Sequence, residues 1–164
     1  MHLVFANIGS NIGDREFLIR QAIERIADEF GICCESTIIE SEPWGFDSKN
    51  NFLNVGLSFK TNLTPDETLR SLNKIEREIC TESHRDNEGK YADRKIDIDI
   101  MAIDQVMLET EMLTLPHACL EKRDFFLIPM TELYPAWTHP RNGKTAKEML
   151  CELYQGSRHG CSAE

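Results

Sequence analysis

An α+β sandwich, an antiparallel sheet with helices on one face, is the fold that the sequence predicts, and three observations predict it. Segments of period two alternate with segments of helical period in the order strand–helix–strand–strand–helix–strand. The helical segments carry their own start and stop residues. The strands are apolar on one face and polar or small on the other. That order is the split βαβ arrangement of ferredoxin-like sandwiches (a βαββαβ core), here with C-terminal additions. The 164-residue chain reads as one domain, 1–156, with a disordered tail, 157–164.

His2 to Ile8 forms the first strand. The stretch Gly9-Ser10-Asn11-Ile12-Gly13-Asp14 lacks both Gly-x-Gly-x-x-Gly and Gly-Lys-Ser/Thr, so it reads as a tight connection with Asp14 as N-cap. Ile19, Ile23, Ile26 and Phe30 then recur at helical spacing, and Gly31 ends the helix. Ile32 to Glu40 is the second strand. Ser41 to Asn51 is a loop by its Pro, Gly, Asn and Asp content. Its Trp44 and Phe46 are either a plug over the core or one wall of a ligand pocket. Phe52 to Lys60 is the third strand, with Leu53, Val55, Leu57 and Phe59 on its core face. Phe52, Asn54, Gly56 and Ser58 share the other face, small and open at Gly56 and Ser58. An aromatic beside an amide suits recognition of a flat heterocycle, and equally an ordinary solvent-facing strand.

Thr64-Pro65-Asp66-Glu67 is a helix start with a capping box. Leu69, Leu72, Ile75 and Ile79 form its buried stripe, with Asn73 and Glu76 on the neighbouring strip. Residues 81–90 lose all periodicity, and His84, Arg85 and Lys90 either close over a phosphate as a lid or belong to a solvated loop. Arg94 to Ile100 is the fourth strand of the core. Ile96, Ile98 and Ile100 face inward, leaving Asp97 and Asp99 together on the other face, roughly 6–7 Å apart. Adjacent carboxylates repel unless a cation lies between them or one is protonated. They are either surface acids facing lysines or, with Arg94 just before them, ligands of magnesium bridging to phosphates. Beyond them come a turn at Asp104-Gln105, a short returning strand, an extended Leu113 to His117 and a mostly apolar Arg123 to Pro129. Turns at Trp137 to Pro140 and Asn142-Gly143 precede a last helix over about Thr145 to Gln155. In this topology the open face collects Phe52, Asn54, Asp97 and Asp99.

Composition excludes several classes. A net charge of −10 argues against a general nucleic-acid binder, and no apolar run approaches a membrane span, so neither partner is expected. Leu3 to Ile8 is too short for a signal peptide. The six cysteines show no Cys-x-x-Cys spacing and read as reduced, mostly buried thiols of a cytoplasmic protein.

Gly9-Ser10-Asn11, Pro43-Trp44-Gly45, Phe52-Leu53-Asn54, Arg94-Lys95-Ile96-Asp97-Ile98-Asp99-Ile100, Leu115-Pro116-His117 and Arg123-x-Phe125-x-Leu127-x-Pro129, in this order and spacing, resemble the 6-hydroxymethyl-7,8-dihydropterin pyrophosphokinases of folate synthesis. The resemblance runs nearly end to end. It implies transfer of a pyrophosphoryl group from ATP to the pterin hydroxymethyl, giving AMP, with two magnesium ions; a monomer is expected. Asp97 and Asp99 would hold those ions, and Arg94, His117 and Arg123 would join them as catalytic residues on the phosphates. Phe52 and Phe125 would sandwich the pterin, with Asn54 and the loop residues Ser41, Pro43, Trp44 and Gly45 reading its edge. Asn73, Glu76, Ile100 and Thr114, with Arg94, His117 and Arg123, would surround the ATP. The chain departs from the family at Ala118, Ala92 and Asp93, and in a loop where His84, Arg85 and Lys90 stand in for a usual arginine pair. Two other readings of the Asp pair and the fold are a different magnesium-dependent nucleotidyl or phosphoryl transferase and a non-catalytic ferredoxin-like ligand-binding module.

Overall fold

A computed structural model describes residues 1–80 and 93–160, without the side chains of 158–160. The readings placed on His84, Arg85, Lys90, Ala92 and residues 161–164 lie outside the described residues. The sheet is built on β1 (His2–Ser10), which pairs antiparallel with β4 (Phe52–Thr61) on one side and β5 (Asp97–Ile103) on the other. β2 (Cys33–Glu35) and β3 (Ile39–Ser41) follow one another along the far side of β4, giving the order β2–β4–β1–β5. With α1 (Arg15–Phe30) and α2 (Pro65–Ile79), this is the expected α+β core.

Local chemistry explains both helices. The Asp14 carboxylate accepts from Phe17 N at the start of α1, and Gly31 ends it at φ 90°, a left-handed value costly to residues with a Cβ. The Thr64/Glu67 capping box is fully formed: Glu67 N donates to Thr64 Oγ1, and Thr64 N donates to the Glu67 carboxylate. Ile19, Ile26 and Leu72 are fully buried against Val4, Ile8, Val55 and Leu57 of the sheet. Each such side chain contributes about 1.5–3 kcal/mol.

The expected single strand over Ile32 to Glu40 is two strands. At the break Ser36 receives the Gly56 N–H on its hydroxyl, at 2.7 Å, rather than on its carbonyl. Thr37 then turns its own N–H and hydroxyl to the Glu132 carboxylate at 2.9 and 3.0 Å. The ladder cannot run through a residue whose donors point away from it.

The face expected to be open is mostly covered. A helix that sequence periodicity did not reveal, α3 (Asp124–Leu133), lies on it with Pro129 inside. Pro129 and Leu133 press on Gly56, and Ser58 is buried. The last helix, α4 (Ala146–Gly160), starts as expected but runs on past Gln155, so residues 157–160 continue the helix rather than belonging to the disordered tail expected from 157. A second core forms here from Phe5, Met101, Ala102, Phe126, Met130, Trp137 and Met149. Met101 and Ala102 both reach it because the β1–β5 register shifts between Phe5 and Ala6. Helices therefore cover both faces, and only the end of the second face that carries Asn54, Gly9 and Asp97 stays accessible.

The expected turn stands at Asp104-Gln105. The returning strand β6 (Leu108–Glu109) pairs with β7 (Thr114–Leu115), forming a hairpin of its own beside β5. The strand expected from Arg94 begins only at Asp97, although Ile96 is buried as predicted. The described cysteines are all free thiols, but Cys80 alone of them is buried, while Cys34 and Cys151 are exposed. The expectation of mostly buried thiols fails because β2 is an edge strand and α4 a surface helix. No helix among the described residues is long and apolar enough to cross a membrane.

A Cβ on Gly56 would collide with Pro129 and come within 3.1 Å of Leu133. Gly56→Ala should therefore cost about 1–3 kcal/mol of stability, read as a lowered denaturation midpoint. An unchanged midpoint would mean that α3 does not press on β4 here.

Candidate active site

Strand register assembles the floor of the site. Gly9 pairs with Asn54 on β4 and with Asp97 on β5; two residues back, Asn7 pairs with Gly56 and Asp99. Residues opposite one another across antiparallel strands share a face. Asn54, Gly9 and Asp97 thus form one row, and Gly56, Asn7 and Asp99 the next. A Cβ on Gly9 would sit 3.1 Å from Asn54 Oδ1, so glycine there leaves room above the floor.

Two cavities meet over this floor. The first is lined by Asn7, Ser41, Trp44, Phe52, Asn54 and Phe125, with Glu42, Phe46, Gly9, Arg94 and Arg123 completing it. The second, larger one is bounded by Asn73, Glu76, Ile100, Thr114, Thr110 and Met112. Asp97, Asp99 and His117 line both. Among the described residues, Pro43 and Gly45 are the sequence-predicted ones that line neither cavity. Their neighbours Glu42, Trp44 and Phe46 face the first cavity, which answers the choice between plug and wall for Trp44 and Phe46.

The cavity's amides are locked. Asn7 Nδ2 donates to Asn54 Oδ1 at 3.2 Å, and Asn54 Nδ2 donates to Ser41 Oγ at 2.7 Å. Both asparagines are about 97% buried, at 3% and 2% exposure, and Asn7 Oδ1 has no hydrogen-bond partner among the described residues. Asn7 Oδ1 is thus a buried acceptor without a partner, and Asn54 Nδ2 keeps a second hydrogen to donate. Sequence reasoning missed Asn7, yet its signal was there: an asparagine on the non-core face of an apolar strand, two residues from Gly9.

Charge in the site is arranged in pairs. Arg94 Nη1 donates to Asp97 Oδ2 at 2.8 Å, and Arg123 Nη1 stands 4.0 Å from Asp99 Oδ2. Burial pushes the Asp99 carboxyl up, the Arg123 guanidinium pulling the other way. Arg123 is buried under Trp44, its Cζ 4.4 Å from the Trp44 ring centroid and 4.9 Å from that of Phe126. Its Nε has no hydrogen-bond partner among the described residues. Glu76, from α2, accepts from Ile98 N at 3.0 Å on the free edge of β5, which brings a third carboxylate close to the pair.

His117 is held neutral. Burial pushes it down to about 4, Arg123 adding to the effect and Asp97 opposing it. Cys119 N donates to Nδ1 at 3.0 Å, so the neutral ring carries its proton on Nε2 as a donor for the cleft.

The donor set suits a hard divalent cation. Two partly exposed carboxylates on a rigid strand supply oxygen ligands and leave the remaining positions to water and substrate. Among the described residues no group of three or more His, Cys, Asp or Glu forms an all-protein cage. That is the arrangement expected where phosphates complete the coordination.

The chain is similar to known proteins over nearly its whole length. The family model for 7,8-dihydro-6-hydroxymethylpterin-pyrophosphokinase (HPPK) matches residues 5–135. A 2-amino-4-hydroxy-6-hydroxymethyldihydropteridine pyrophosphokinase of Aquifex aeolicus is 41% identical over 152 residues, 93% of this chain and 92% of that protein. One of Porphyromonas gingivalis is 37% identical over 85% of this chain and 95% of that protein. The wild-type HPPK-DHPS of Plasmodium falciparum, solved with pteroate, superposes with a TM-score of 0.72 at 14% identity. That likeness covers 96% of this chain but 43% of the larger one and speaks for the fold alone. A family model covering the site-bearing strands, and relatives above 30% identity along most of their length, agree: the chain belongs to the 7,8-dihydro-6-hydroxymethylpterin-pyrophosphokinase family.

Proposed function

We propose that the chain transfers the pyrophosphoryl group of ATP to 6-hydroxymethyl-7,8-dihydropterin, giving the pterin diphosphate and AMP for folate synthesis. The observation that carries this reading is the shared wall of the two cavities. A cavity walled by aromatics and amides and a second, larger cavity open onto the same two carboxylates and one neutral histidine. Two substrates bound on either side of that wall would meet over Asp97 and Asp99.

In the first cavity Phe52 and Phe125 would hold the pterin ring between them. The orphan Oδ1 of Asn7 and the remaining N–H of Asn54 match the adjacent donor and acceptor of an amide-like ring edge. Ser41 fixes the Asn54 amide, and Trp44 closes the mouth, with Pro43 and Gly45 shaping the loop that carries it. Asn73, Glu76, Ile100 and Thr114 would surround the nucleotide in the second cavity.

In the transfer, the pterin hydroxyl oxygen attacks the β-phosphorus of ATP. The bond from that phosphorus to the α–β bridging oxygen breaks, AMP departs and the hydroxyl proton is released. Asp97 and Asp99 would hold two magnesium ions, which when bound neutralise phosphate charge and align the reacting groups. Arg94 and Arg123, which line the first cavity beside Asp97 and Asp99, would add fixed positive charge for the phosphates that reach the shared wall. The Nε2–H of His117 donates to a phosphate oxygen without adding charge. Both cavities are built within one chain, which supports a monomeric unit, and the free thiols of the described cysteines fit a reducing cytoplasm.

The direct test is AMP formation from ATP and magnesium, which should require the hydroxymethyl pterin; ADP as product would overturn the reading. Asp97→Ala should abolish turnover with the fold unchanged by circular dichroism, and retained magnesium-dependent turnover would remove Asp97 as a ligand. Phe125→Ala should weaken pterin binding by about 1–2 kcal/mol if stacking holds the ring; unchanged affinity would place the ring elsewhere. For His117, NMR titration of the ligand-free protein should show a neutral ring through pH 6–7, protonating only near a pH of about 4. A midpoint near 6.5 would contradict the neutral-donor role. Because the folded-state value lies below the unfolded one, His117 favours the folded state above about pH 6.5, a contribution lost as the pH falls from there towards 4.

A further inference from the structure

We propose that Asp93 is a positioning residue for the pterin side of the site: its carboxylate staples the 42–51 loop to the β1–α1 turn and to the backbone that delivers Arg94. The proposal rests on the reading of the first cavity as the pterin site.

Three side chains from two separate segments converge on this one carboxylate. Ser48 Oγ donates to Asp93 Oδ1 at 2.6 Å, and Asn50 Nδ2 donates to Oδ2 at 2.9 Å. From the β1–α1 turn, Asn11 Nδ2 donates to Oδ1 at 2.7 Å. Ser48 is itself oriented by accepting from Asn50 N at 3.1 Å, so the loop presents a shaped pair of donors. The buried Asn11 then works in several directions. Its Nδ2 also donates to Asn50 O at 3.2 Å, its Oδ1 accepts from Arg94 N at 2.7 Å, and its backbone N donates to Arg94 O at 3.1 Å.

A carboxylate is the group this junction needs. It accepts only, and charge-assisted hydrogen bonds are short and strong. An asparagine here would turn an NH₂ towards one of the donors. Those hydrogen bonds outweigh burial and hold the Asp93 carboxyl below the usual range, which keeps it ionised.

What the staple holds is a stretch with no regular structure that carries Trp44 and Phe46 into the first cavity. Phe46 meets Phe52 edge-on with centroids 6.3 Å apart, and Trp44 lies over Arg123. A free segment of this length would have to be ordered at each binding event, at an entropic cost set against pterin affinity. Fastened near its far end, it presents both aromatics in place beforehand. The effect should fall on the pterin rather than on the nucleotide, because the second cavity draws no residue from this loop, and neither Asn11–Arg94 bond, one from Arg94 N to Asn11 Oδ1 and one between the two backbones, runs through the Asp93 carboxylate.

The experiment compares the parent protein with Asp93→Ala and Asp93→Asn by pterin titration, steady-state kinetics and acrylamide quenching of tryptophan fluorescence. Trp44 is 38% exposed and Trp137 only 3%, so quenching without ligand reports on the loop. For Asp93→Ala the expected result is stronger quenching, a pterin Kd and KM raised about tenfold, the loss of roughly one charge-assisted bond, and a parental KM for ATP. Asp93→Asn should fall between the two. Parental quenching and pterin affinity in a folded Asp93→Ala protein would overturn the proposal, as would an ATP KM that rises as far as the pterin KM. If Asp93→Ala fails to fold, Ser48→Ala removes one link and should shift quenching and pterin Kd the same way; no shift would overturn the staple. Should the parent itself bind no pterin, the reading of the cavity fails, while the quenching comparison still decides whether Asp93 orders the loop.

Discussion

The whole site depends on β1 being paired on both sides in one fixed register. Because Gly9 stands opposite Asn54 and opposite Asp97, a single backbone strand sets the distance between the amide that would read a ring and the acids that would bind a cation. Sheet register is discrete: a slip of one residue would send Asn54 and both aspartates into the core and their apolar neighbours outward. Val4, Ala6, Ile8, Ile98 and Ile100, all buried on the opposite face, make such a slip prohibitively costly. The core therefore holds the chemistry in place although it touches none of it.

Charge is the second constraint. Asp97 and Asp99 project from the same face of one strand, with Glu76 nearby, and cannot rotate apart. Arg94 binds one acid and Arg123 approaches the other, each arriving from a segment outside the sheet. The Arg123 guanidinium lies over the rings of Trp44 and Phe126, and its Nε has no hydrogen-bond partner among the described residues. A guanidinium positioned this way keeps donor capacity for an incoming anion. His117, neutral and with its proton directed by a backbone amide to Nε2, adds a donor to this cluster without adding charge.

The C-terminal segment turns a half-covered sheet into a site. α3 and α4 bury Phe5, Met101 and Ala102 and leave a gap only at the end of the sheet where Asn7, Gly9 and Asp97 lie. The same segment contributes Arg123 and Phe125 at its start. Cover and chemistry thus come from one segment, fastened to β4 by Pro129 over Gly56 and to the break between β2 and β3 by Glu132 on Thr37.

Much of this was legible in the chain as written. Asp14, the Thr64/Glu67 box and Gly31 announce their helix ends because capping is a contact between residues three or four apart. The alternation around Asp97 and Asp99 and around Phe52 and Asn54 marks two strand faces for the same kind of local reason, and the ordered set of short motifs pointed to the family. What stayed hidden depends on partners far along the chain. The break at Ser36 needs Gly56 and Glu132, the helix α3 persists around Pro129 only because the second core takes its apolar residues, and Asn7 becomes a site residue only beside Asn54. The convergence of Asn11, Ser48 and Asn50 on Asp93 joins segments that have no periodicity to share. Sequence by itself determined where elements begin and which faces are apolar, since those follow from short-range geometry and hydrophobic period. Tertiary structure alone decided which polar side chains lose their water together, and that shared desolvation is what turns separate amides, acids and cations into one site.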